Sequence, residues 1–256
     1  MRVGASIYRP ELAQHWIAVF SVREDTRLFV AGLFIELAAK LAKLSPDTMR
    51  EILPSIFTWG STYADKPWDL NGYAITFQQT TVLVDPPAPG EDDWPRFDAM
   101  NPITQIVLTN RDHVRDIELF RRRYGSRVVA GADELGQRVS ISIDEPRREG
   151  ELIAGSLRVI HLPGKSAGEI GLYFEPKRHA ISREMGGILL LGDALIGNPP
   201  GALGLIPEPN LDDPACLRQS LRKLLNYDFE ALLLCDGQSI MSNAKSKVAE
   251  FLQTLV

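Results

Sequence analysis

The chain reads as a layered α/β protein, with sheet packed on sheet and helices outside. Three observations carry that reading. Apolar runs of strand length recur in two groups, each followed by segments of helical periodicity. Several of these runs end in polar or charged groups. The composition, 45% apolar and 24% charged over 256 residues, suits a soluble chain that buries a full core.

The elements follow in order. LFVAGLFIELAAKLAKL (28–44) has the pattern of an amphipathic helix stopped by Ser45-Pro46. Its charges, Glu36 and Lys40, and its length leave it short of the about 20 apolar residues a spanning helix needs. Residues 47–53 are expected as a second short helix. Residues 1–55 would then be a helical extension, a candidate for homo-oligomer formation, and 56–256 the main domain. GYAITF (72–77) and TTVLVDPP (80–87) form a hairpin across Gln78-Gln79, and ITQIVLT (103–109) is a buried strand. A polar turn leads from it into a helix over 115–124, for which Asp112 and Asp116 are candidate N-terminal caps. SRVVAG (126–131), LIAGSLRVIHLPG (152–164), GEIGLYFE (168–175), GGILLLGDAL (186–195) and FEALLLCDG (229–237) supply further strands. Helices are expected over 213–226, with Pro214 in its first turn, and over 244–255. The Pro/Gly-rich 198–214 segment is a loop long enough to shape a pocket.

Charge and composition exclude several classes. The net charge of −5 gives no basic field for nucleic acid, and Arg121-Arg122-Arg123 reads as a solvated helix face. Two cysteines, Cys216 and Cys235, make neither a disulfide framework nor a CxxC zinc site, which fits a cytoplasmic setting; no membrane association is expected. Ser166, Ser239 and Ser242 lack the Gly-x-Ser-x-Gly setting of a nucleophile elbow, and no glycine-rich phosphate loop follows a strand.

The polar strand ends are the informative feature: Asp85, Thr109-Asn110-Arg111-Asp112, Pro163-Gly164-Lys165, Gly192-Asp193 and Cys235-Asp236-Gly237. In order and spacing they resemble the metallo-β-lactamase fold superfamily over about residues 56–256. That resemblance implies a four-layer αβ/βα sandwich and a metal-dependent hydrolase. It also implies ligand positions, and at most of them this chain departs from the family. Asn110 and Asp112 stand where the family's His-x-His-x-Asp-His turn supplies two histidines. Val114 and Arg115 replace its Asp and last His. Lys165 replaces the histidine of the Pro-Gly-His turn, and Asp236 replaces the final histidine. Asp193, the bridging carboxylate, is retained. His113 is one place out of register with the family's histidines.

Valine offers no lone pair, and lysine or arginine repels a divalent cation. A zinc centre is therefore not expected, and no cofactor is. The expected arrangement has the Lys165 ammonium in the vacated metal position, held by Asp112, Asp193 and Asp236, with Arg115 alongside. Lys165, Arg115, Asn110 and His113 would then bind a small anionic molecule, with zinc-dependent hydrolysis weak or absent. The alternative is a hard ion, magnesium, manganese or calcium, held by Asp112, Asp193 and Asp236 to hydrolyse esters or phosphoesters.

Overall fold

A computed structural model describes residues 48–61, 68–175 and 186–255. The expected helix at 28–44, and any self-association through it, lies outside the described residues, as does His179.

The first sheet runs β1 (Arg50–Leu53), β2 (Ile56–Ser61), β3 (Leu70–Thr76), β4 (Thr81–Val84), β5 (Ile103–Leu108), β6 (Arg127–Gly131) and β7 (Glu145–Arg147) in sequence order. Its first four strands are antiparallel neighbours and β4 to β7 are parallel ones. The second sheet has the order β12 (Ala231–Leu234), β11 (Ile188–Leu191), β10 (Ile170–Phe174), β9 (Leu157–His161), β8 (Leu152–Ile153). Only its β11–β12 pair is parallel.

The period-two alternation of the strands sorts their side chains into layers. Val107 and Val129 of one sheet meet Val159, Leu172, Leu190 and Leu233 of the other in the inter-sheet core. Their neighbours Ile106, Leu108 and Val128 face the opposite way, onto Phe97 of α1 (Trp94–Asp98) and Ile117 and Phe120 of α2 (Ile117–Tyr124). Leu189, Leu191 and Leu232 likewise pack on Leu217 and Leu221 of α3 (Pro214–Leu221) and Val248 of α4 (Ala244–Gln253). Being buried on both faces is why these strands read as continuous apolar runs. The result is the expected α/β/β/α sandwich.

Several local expectations need correction. Residues 50–53 form strand β1, paired with β2, instead of a helix. Sheet pairing overrides the helical propensity of so short a segment, and the first strand of the sheet therefore lies inside the stretch assigned to the extension. The single strand expected over 152–164 is broken at Ala154 and Gly155, both at positive φ. The helix expected over 213–226 is α-helical to Leu221 and then tightens to a 3₁₀ turn. Its start is as read: Pro214 opens it, and the Asp213 carboxylate accepts from Cys216 N at 2.9 Å. Asp116 precedes α2 without capping it through its side chain, which accepts instead from Ala88 N at 2.7 Å. Among the described residues no helix is long and apolar enough to cross a membrane.

Candidate functional site

Strand direction gathers the polar groups. Asp85 follows β4 and residues 109–115 follow its parallel neighbour β5. Asp193 follows β11 and Asp236 follows its parallel neighbour β12. The β9–β10 turn adds Lys165. Strands running the same way deliver their carboxyl ends to one edge, where α/β folds place ligand sites.

Asp85 and Arg115 hold left-handed backbone, with φ of 43° and 41°, a conformation uncommon outside glycine that collects at functional sites. The Asp85 carboxylate accepts the Thr109 N–H at 2.9 Å and the Thr109 hydroxyl, tying the end of β4 to the end of β5. Its Oδ2 also takes His113 Nδ1 at 2.7 Å. His113 Nε2 lies 3.2 Å from Asp193 Oδ1 and 3.7 Å from Asp236 Oδ1, so the imidazole bridges three carboxylates. Burial opposes its charged form, but Asp193 and Asp85 outweigh burial and Arg115 and raise its pKa to about 10. The surrounding carboxylates thus favour the imidazolium at neutral pH.

Arg115 gathers the other strand ends. It donates to Asn71 O at 2.8 Å, Asp85 O at 2.9 Å, Cys235 O at 3.2 Å and Asp236 Oδ1 at 2.6 Å. Trp68 Nε1 donates to the other Asp236 oxygen at 2.9 Å. Lys165 is placed by the glycine before it. Gly164 has φ of 138°, and a Cβ there would fall 2.3 Å from Leu217 N, so only glycine lets α3 press on this turn. The side chain of Lys165 is 2% exposed. Its ammonium pairs with Asp112, lies 3.3 Å from Asp193 Oδ2 and 3.5 Å from Asn110 Oδ1. Asn110 Nδ2 in turn reaches Asp193 Oδ2 at 3.4 Å.

Electrostatically this is a compensated cluster. Burial raises the carboxyl pKa values of Asp85 and Asp193, yet both end below the usual carboxylate range, because His113 foremost, with Arg115 and for Asp193 also Lys165, stabilises their anions. Asp85, Asp193 and Asp236 thus face His113, Lys165 and Arg115. Glu169 lies beside them, with Oε1 accepting from Ala194 N at 2.7 Å and Oε2 without a hydrogen-bond partner. Burial and then Asp193 push its carboxyl well above the ordinary range, favouring the neutral acid.

The nominated residues therefore converge, with one regrouping. The compact sets of possible ligand atoms among the described residues are His113–Asp193–Asp236 and Asp85–His113–Cys235, each with atoms within 4.8 Å of one another. Asp112 belongs to neither, its side chain being 60% exposed at the mouth. The carboxylate trio Asp112–Asp193–Asp236 does not assemble, because the Asp112 side chain projects to solvent over Lys165 while His113 fills the space between the other two. The sequence marks Asp85 only as a polar strand end and gives no sign of its grip on His113. Sequence reasoning also missed Trp68, Arg111 and Glu169. The glutamate within SAGEIGLYF, a charge in an otherwise apolar and small stretch, was the one available signal.

Above Lys165 and Asp193 lies a cleft of about 600 Å³, walled by Trp68, Arg111, Asp112 and, from the long loop, residues 206, 207 and 209–212. A second cavity of about 640 Å³, lined by Arg50, Asn71, Tyr73 and Ser239 among others, lies beyond Trp68 and contains none of the clustered charges.

No curated protein matches the chain. Solved structures share its fold. A metallo-β-lactamase from Pontibacter korlensis aligns over 81% of this chain and 97% of its own, with TM-score 0.62 and 17% identity. A metallo-β-lactamase family protein from Thermus thermophilus aligns over 80% of each chain, with TM-score 0.55 and 18% identity. TTHA1623, solved in a di-iron-bound form, aligns over 74% of this chain and 98% of its own, with TM-score 0.55 and 21% identity. The family model for the metallo-beta-lactamase superfamily matches residues 49–255. With four-fifths of its length matched and the sandwich in place, this chain belongs to the metallo-β-lactamase superfamily.

Proposed function

We propose that this chain is a metal-independent member of its superfamily, binding a small anionic molecule in the Lys165 cleft with little or no zinc-dependent hydrolysis. The observation that carries this reading is the Lys165 ammonium, buried and lying 3.3 Å from Asp193 Oδ2. The donor set does not fit the family's dinuclear centre. Of its positions, Val114 has no lone pair, Lys165 and Arg115 are cations, and Arg115 lies 2.6 Å from the Asp236 oxygen that would face an ion. At an effective dielectric of about 20, two unit charges 4 Å apart repel by roughly 4 kcal/mol, and a divalent ion would feel more than one such charge. A buried ammonium left without carboxylates would be costly, so the cations and acids account for one another. The cleft adds a second cation, Arg111, and an apolar wall from Ile206, Pro207, Pro209 and Leu211.

Metal analysis of the purified protein, with thermal unfolding before and after chelation, tests this. No stoichiometric ion and an unchanged Tm are expected; one ion per chain whose removal lowers Tm would refute it. One observation favours a second reading, in which a divalent ion sits between His113, Asp193 and Asp236, whose ligand atoms are within 4.8 Å. That ion requires a neutral imidazole and a displaced Arg115. Titrating zinc, magnesium and manganese into chelated protein at rising pH separates the two, since uptake that grows with pH belongs to the second.

A further inference from the structure

Both cations of the cleft are capped from outside by an exposed acid. Lys165 has three N–H donors: Asp193 and Asn110 stand on its inner side, and the remaining donor goes to Asp112, 60% exposed. Arg111 presents a two-pronged fork to Asp212, with both contacts at 2.6 Å, and the Asp212 side chain is 44% exposed. All four side chains line the same cleft. In both pairs the acid is the exposed end, and an exposed charge is weakly held because water competes for it.

Building on the metal-free anion-binding reading, we propose that Asp112 and Asp212 occupy the places of ligand oxygens. The ligand is a phosphate monoester that displaces both carboxylates, taking the outward Lys165 N–H and the Arg111 fork. Three donors in that arrangement suit the three terminal oxygens of a phosphate, and a guanidinium fork matches phosphate geometry. The exchange also changes the sign of the cleft. With the acids in place, Lys165 and Arg111 face Asp112, Asp193 and Asp212, an excess of one negative charge. With them turned to solvent only Asp193 remains, an excess of one positive charge. The apolar wall of the 206–211 segment would cover the ester's organic part.

Calorimetric titration of the full chain in chelator, with inorganic phosphate and with phenyl phosphate, tests the exchange. Asp112→Asn and Asp212→Asn keep the shape of exposed side chains and remove the competing charge. Each is expected to bind inorganic phosphate about fivefold tighter than wild type, and Arg111→Gln to lose most of the binding. Unchanged or weaker binding in both asparagine variants, or full binding by Arg111→Gln, would overturn the proposal. Phenyl phosphate binding tighter than inorganic phosphate supports the monoester, and equal affinities overturn that part. Bound metal in the purified protein would refute the metal-free reading alone, because the exchange is read as a ratio between variants in chelator.

Discussion

The floor and the mouth of this site use the same chemistry under opposite conditions. On the floor, Arg115, His113, Asp85 and Asp236 are almost wholly removed from water, and each charge meets several partners. At the mouth, Lys165–Asp112 and Arg111–Asp212 each join a shielded cation to an exposed acid. Burial decides what an ion pair is for. Where water cannot replace a lost partner, the pair locks strand ends together; where water can, the pair is free to exchange.

The sharpest way to break this comparison is on the floor. Arg115→Ala takes from buried Asp236 the cation 2.6 Å away, leaving it the more distant His113 and Trp68, and removes a donor from the carbonyls of Asn71, Asp85 and Cys235. A loss of about 3–5 kcal/mol is expected in urea unfolding; a loss under about 1 kcal/mol would make the floor no different from the mouth.

The second effect is a pH dependence. The folded-state pKa of His113, about 10, is above its ordinary value, so its stabilisation is fully present below about pH 6.5 and fades as pH rises through 10. Asp85 and Asp193 are held below their ordinary value of 3.8, so their contribution is present above that pH and fades in acid. Wild-type stability should therefore decline between pH 6.5 and 10, and His113→Gln, though less stable throughout, should decline much less. Parallel slopes for the two proteins would remove the imidazolium from the floor.

The smallest effect belongs to the mouth. Asp112→Ala should change stability by less than about 1 kcal/mol, because the lost partner is exposed and water reaches Lys165 in its place. A loss comparable to that of Arg115→Ala would show that Asp112 is a structural clamp.

How much of this could be read beforehand varies residue by residue. Asp193, Lys165, Asp236 and Arg115 were legible because each lies in the turn after an apolar strand, at a spacing that resembles one fold family's. Asp85 was legible as a polar strand end but not as the partner of His113, since 28 residues separate them. Trp68 and Asp236 are 168 residues apart, and no local pattern links them. The helix expected over 47–53 misled because so short a segment carries too little periodicity to tell strand from helix, and pairing of residues 50–53 with β2 decided the matter.

Alternation of apolar residues and punctuation by Gly and Pro determined by themselves that this chain folds as a layered α/β protein with sheet packed on sheet, and the order of the polar strand ends supplied its family resemblance. Only the tertiary structure decided that His113, out of register in the sequence, sits at the centre of the charges, and that Asp112 stands outside them. The reason is physical: the direction of a side chain at a strand end depends on the turn it sits in and on which neighbours have already filled the space, and both are set by parts of the chain far away in sequence.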